Sequence, residues 1–197
     1  MEKKYVFTEN VKEIETSSNS IEPEEVKYDG IVEIMKKGNR IVLKYKKNND
    51  FIKIVKAHKY EWKSCWACWC RELTDVTGCY SDRAAEIGNV LLNNGFCIYI
   101  QDKEILKKAV EGKYKEENEN WIRGVEKKWV EINCKNINNK TYSELLKIES
   151  MCVNGQCIII HVSHYKIIEK FAKENGFWFT DDAKKIIKEY KEKYNER

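Results

Sequence analysis

Three tryptophans and three cysteines fall within twelve positions in WKSCWACWCREL, residues 62–73. Thiols this dense suggest metal binding, redox exchange or packing. Cys65, Cys68, Cys70 and the nearby Cys79 could offer four thiolates to a zinc ion, but structural zinc sites join two close pairs and no second close pair follows. A thioredoxin-type Cys-x-x-Cys pair needs a helix N-terminus to stabilise its thiolate. Here the pair lies in an expected β-hairpin. The spacing therefore favours packing thiols, with Trp69 and Arg71 on one face of a strand and Cys68 and Cys70 on the other. No metal and no cofactor are expected.

Basic and aromatic residues make the second pattern. Lys44, Lys46, Lys47, Lys53, Lys56, Lys59, Lys63 and Arg71 interleave with Tyr45, Tyr60, Trp62, Trp66 and Trp69. Cations that track a phosphate backbone, with rings free to stack on bases, are the chemistry of single-strand or junction binding. The expected contact set is Lys44, Lys46, Lys47, Lys56, Lys59, Lys63, Trp66 at the hairpin tip, and Arg71. Arg83 and Arg123 are lesser candidates, and Trp69 is expected in the core.

Catalytic groups are sparse. His161 alternates with Ile160 and Val162, and His164 opens a helix. Asp181-Asp182 falls in a helical first turn, where it complements the dipole. No triad, carboxylate dyad or G-x-x-x-x-G-K-[ST] phosphate loop is present, so no enzyme is expected.

The whole chain has 197 residues, a net charge of +4, 42% hydrophobic and 35% charged residues. Residues 1–30 carry a balance of −4 and residues 31–73 one of +7. No run of roughly 18 apolar residues offers a membrane span, and no secretory pattern opens the sequence. A cytoplasmic protein with reduced thiols and no membrane partner is the expectation.

These residues need positioning elements. Residues 1–28, with the SSNSIEPEE linker, read as an acidic arm. IVEIMKKGNRIVLKYK reads as a hairpin around Gly38-Asn39, with Ile41, Leu43 and Tyr45 on one face. NDFIKIVKA reads as a helix capped by Asn49, SDRAAEIGNVLLNNG as one capped by Ser81 and closed at Gly95, FCIYI as a strand, and DKEILKKAVEG as a helix. The order then recurs: KWVEINC as a strand, TYSELLKIES as a helix with a Thr141–Glu144 capping box, MCVNGQCIIIHV as a hairpin turning at Asn154-Gly155, SHYKIIEKFAKENG as a helix from Ser163 to Gly176, FWF as a strand, and TDDAKKIIKEYKEKY as a helix. LLNNGF (91–96) answers AKENGF (172–177). The reading is an α+β chain of two similar compact units, residues 29–117 and 118–197, each a small sheet with helices on one face.

RIVLKY, FIKIVKA, the Trp-containing hairpin and LLNNGF together resemble the HARP domain, which stands in tandem ahead of the motor of annealing helicases. CIIIHVSHYKIIEKFAKENGFWFTDDAKKII is similar to related modules of phage-type helicases. The resemblance covers residues 38–192. It implies compact α+β repeats that engage branched or single-to-double-strand DNA. The basic residue which that family carries before the hairpin would be Lys59 or Lys63, and no motor is present.

The expected function is accordingly non-enzymatic DNA binding at forks or junctions, serving a helicase in trans. The rival expectation is a phage-encoded counter-defence protein that blocks a nucleic-acid-processing enzyme such as a CRISPR effector, with the acidic arm competing for a basic groove.

Overall fold

A computed structural model describes residues 19–148, 150–153 and 156–195. The Asn154-Gly155 turn and residues 1–18 of the expected arm lie outside them. The chain divides after Glu117 into two compact α+β units.

The first unit holds strands β1 (Ser20–Ile21), β2 (Tyr28–Lys37), β3 (Arg40–Lys44), β4 (Glu61–Lys63), β5 (Cys68–Glu72) and β6 (Phe96–Ile100). Its helices are α1 (Asn49–Ala57), α2 (Tyr80–Asn93) and α3 (Lys103–Glu111). The sheet order is β1-β6-β2-β3-β5-β4, with only β2 and β6 parallel. Successive strand residues point to opposite faces. Val32, Ile34, Ile41, Leu43, Trp69, Phe96, Ile98 and Ile100 thus share the face that α1, α2 and α3 cover with Phe51, Val55, Ile87, Leu91, Ile105 and Leu106. Met35, Val42, Cys68 and Cys70 pack on the other face.

The second unit holds β7 (Trp121–Glu126), β8 (Trp129–Asn133), β9 (Ser150–Val153), β10 (Cys157–His161) and β11 (Trp178–Phe179), with α4 (Asn139–Leu146), α5 (Tyr165–Asn175) and α6 (Asp181–Asn195). Its sheet order is β11-β7-β8-β10-β9, again with one parallel pair, β11 and β7. Removing β1 from the first unit leaves the same order of elements and the same strand adjacency. β2 to β6 correspond to β7 to β11, and α1, α2 and α3 to α4, α5 and α6. The expected correspondence of the hairpin at 62–73 with that at 151–162 is the pairing β4–β5 with β9–β10.

Register makes the comparison residue-specific. Leu43 pairs with Ile34 and Trp69, and Ile132 pairs with Ile122 and Ile158. Two steps along, Ile41 faces Arg71, whereas Val130 faces Ile160. An arginine therefore stands in the first unit where the second has a buried isoleucine. In the second unit α6 lies directly on β7. A Cβ added to Gly124 would come within 2.7 Å of Ile186 Cδ1 and 3.2 Å of the Asp182 carbonyl carbon.

Several expectations need correction. The arm does not run to residue 28: Ser20–Ile21 pairs with Tyr99 and Ile98 of β6, Pro23 is buried, and Lys27 N donates to Gly95 O. Unexpected edge pairing makes this stretch part of the sheet. The cap of α1 is Asn48, whose Oδ1 accepts from Asp50 N and Phe51 N, not Asn49. Helix α2 starts after Cys79, and the Ser81 hydroxyl accepts from Lys108 Nζ instead. Asn138, not Thr141, caps α4. A 3-10 turn, Val162–His164, precedes α5, and the imidazole of His161 rather than Ser163 satisfies its first N–H. Each is a shift of one to three residues, within the range where competing Asx and Ser/Thr side chains decide a helix end.

Candidate nucleic-acid interface

The β4–β5 hairpin turns through Ser64–Trp66, one 3-10 turn closed by Ala67 in the left-handed region at φ 47°. Lys63 pairs with Cys68, Trp62 with Trp69 and Glu61 with Cys70. Since Trp69 lies on the helix-covered face, so does Trp62, and the two indoles meet edge to face at 5.8 Å. Trp62 and Trp66 therefore do not form one stacking platform.

Trp66 belongs to the opposite face. Lys37 Nζ lies 4.2 Å and Arg40 Cζ 5.3 Å from its ring. Arg40 pairs with Glu72 at one end of β3, while the tip, just before Cys68, lies beyond the Leu43–Trp69 pair at the other end. The cation contacts place the indole on the same side of the sheet as Lys37 and Arg40. On that side Val42, Cys68 and Cys70 are 2–3% exposed, with Met35 packed against them. Cation–π contacts of this kind contribute about 0.5–1 kcal/mol each at exposed sites.

Register also gathers the lysines. Lys44 ends β3 at the tip end of the sheet, and Lys46 and Lys47 follow in the loop to α1. All three are exposed and, among the described residues, have no carboxylate partner. A basic track thus runs along β3, from Lys46–Lys47 through Lys44 to Arg40 and Lys37, with Arg40 and Lys44 about 13 Å apart at strand rise. Carboxylates interrupt it at three places: Glu33 stands opposite Lys44 in the ladder, Glu61 holds Lys63 Nζ at 2.7 Å, and Glu72 lies 3.9 Å from Arg40.

The sequence missed Lys37 and Arg40. Their signal was present, because Arg40 shares the period-two face of Val42 and flanks the Gly38-Asn39 turn. Lys56 is exposed on α1, a helix on the opposite side of the sheet, and does not join the track.

Two expected contacts are structural. Arg71 is buried, with Nη2 2.7 Å from Glu117 Oε2 and Nη1 4.0 Å from Glu86. It faces the helices because it pairs with Ile41, and period-two alternation leaves it no other side. Lys59 stands in the left-handed region at φ 64° after α1, and its Nζ donates to the same Glu117 oxygen at 2.8 Å. Arg83 is buried as well: it donates to Glu86 at 2.8 Å and to the carbonyl of Lys115. These cations tie residues 115–117 to β5 and α2. Burial pushes the Glu117 carboxyl up, but hydrogen bonds from Lys59 and Arg71 outweigh it and hold the group below the usual carboxylate range. Burial dominates for Glu86, whose carboxyl is raised. Arg123 in the second unit is likewise paired, at 2.6 Å, with Glu131.

The four cysteines weighed for zinc do not converge. Cys68 and Cys70 lie side by side, Sγ to Sγ 3.5 Å, whereas the Cys79 thiol donates to Asp82 at 3.2 Å and Cys65 is exposed in the tip. Among the described residues no group of three or more His, Cys, Asp or Glu side chains could hold a metal ion. Burial, then the contact with Cys68, pushes the Cys70 thiol up to about 11.

No helix of the described residues is long and apolar enough to cross a membrane. No protein-family description matches the chain, and no curated protein or solved structure is similar to it.

Proposed function

We propose that the protein is a non-enzymatic nucleic-acid-binding module that engages forked or single-to-double-strand junction DNA and serves a helicase in trans. The observation that carries this reading is the basic track of the first unit: Lys44, Lys46 and Lys47, with no ion-pair partner among the described residues, and an indole, Trp66, met by Lys37 and Arg40. Phosphates would meet the lysines, and a splayed base would stack on Trp66, the arrangement that sequence-tolerant single-strand binders use. The contact set is Lys37, Arg40, Lys44, Lys46, Lys47 and Trp66. Lys59 and Arg71 leave it because Glu117 occupies them, and Lys63 because Glu61 holds it. Two HARP-like repeats would then share one architecture while only the first carries the track.

Fluorescence anisotropy of labelled forked, single-stranded and duplex DNA with the full chain tests this. Trp66→Ala should lower affinity for the fork by about 1–3 kcal/mol, the size of one base–aromatic stack, without changing the melting temperature of the second unit. Failure of all three DNAs to bind at low salt would reject the reading and favour the counter-defence inhibitor, whose acidic arm would then be the segment to delete.

A further inference from the structure

The Cys68–Cys70 pair plays no part in nucleic-acid binding as described, and its setting is unusual. Two thiols on one strand stand 3.5 Å apart, each almost fully buried. Charged residues flank them: Lys63 pairs with Cys68 and Glu61 with Cys70 in the ladder, and Lys37 and Arg40 on the same face approach the Trp66 ring. Arg40 and Lys63 both favour the thiolate of Cys70, although burial keeps it protonated. The remaining wall is apolar, Val42 and Met35. A neutral dithiol can accept negative charge if something replaces its protons.

We propose that Cys68 and Cys70 form a buried two-thiolate site for a soft monovalent cation, Cu(I). Zinc does not fit, because it requires four ligands and only two thiols are in reach. Cu(I) is soft and selects thiolate sulfur. Two metal–sulfur bonds of about 2.3 Å in a near-linear two-coordinate arrangement would place the sulfurs roughly 4.6 Å apart, so the two side chains must rotate apart from 3.5 Å. On binding, two S–H bonds break and two metal–sulfur bonds form. Two protons leave to solvent, no electron is transferred, and the bis-thiolate complex carries one negative charge, on a face that also holds Lys37, Arg40 with Glu72, and Lys63 with Glu61. The second unit has Cys157 and Ile159 at the matching register positions and so lacks the pair. The site does not depend on DNA binding.

The test is anaerobic titration of the full chain with Cu(I) against a chromophoric copper chelator, followed through tryptophan emission. One ion per chain, release of two protons and quenched tryptophan emission are expected. X-ray absorption of the copper-loaded wild type should give two sulfur ligands, a readout that needs no variant to fold. Cys70→Ser should weaken binding by about a hundredfold or more, the advantage of having the second thiol on the same chain. Cys65→Ser with Cys79→Ser should leave it unchanged. Uptake that disappears in the Cys65→Ser, Cys79→Ser variant, or wild-type uptake no stronger than that of Cys70→Ser, overturns the proposal.

Discussion

Arg71 Nη2 and Glu117 Oε2 meet at 2.7 Å across 46 residues of sequence, and the arginine is 5% exposed. This contact ties the end of the first unit to β5, at a position where the second unit has Ile160. The same Glu117 oxygen accepts from Lys59. Breaking a buried pair outright costs about 3–5 kcal/mol, and Arg71→Ala should cost less than that because Lys59 still compensates Glu117. Arg71→Ala should still lower the urea midpoint of the first unit. Arg71→Ala and Glu117→Ala combined should cost less than the sum of the two, which a double-mutant cycle would measure.

Acid should reveal the same contact. Glu117 titrates below its unfolded-state value, so its contribution is complete above the ordinary carboxylate range and is lost as pH falls through the lowered folded-state value. Glu86 works in the opposite sense, because its raised value lets the folded state take up a proton first. Glu117→Gln should flatten the acid limb of the stability profile of the first unit, as read by urea melts from neutral to acidic pH.

The tip offers a backbone prediction. Ala67 holds φ 47°, a region that costs an L-residue about 1 kcal/mol and glycine almost nothing. Ala67→Gly should raise the stability of the first unit by a few tenths to about 1 kcal/mol. An unchanged or lower melting temperature would contradict that placement.

In the second unit Gly124 is a packing requirement. Its missing Cβ lets α6 rest on β7, so Gly124→Ala must move Ile186 or the helix backbone. A loss of about 1–3 kcal/mol is expected, with the first unit unaffected in a domain-resolved hydrogen-exchange experiment.

Legibility in the sequence followed the range of the interaction that decides each feature. Strand faces such as Ile41–Leu43 and helix stripes such as Ala84–Ile87–Leu91 were readable because their periods are local. The repeated order of elements was readable from hydrophobic pattern and the Asn-Gly-Phe stops. Pairing of Ser20–Ile21 with β6 was not, since a two-residue edge strand has no period. Arg71 and Lys59 were misread because a basic residue near a hairpin looks free until its partner is known, and Glu117 lies outside the segment that suggests it. Lys37 and Arg40 were missed for the converse reason: only the fold brings Trp66 to them.

The salt dependence of fork binding tests the central claim most directly. With wild type, log affinity should fall linearly with log salt, and replacing Lys44, Lys46 and Lys47 together by Ala should reduce the slope by about 2, from roughly 0.7 per single-strand phosphate contact. Replacing Lys170 and Lys188, on the helices of the second unit, should leave the slope unchanged. A triple variant with the slope and affinity of wild type would contradict the assignment of this face.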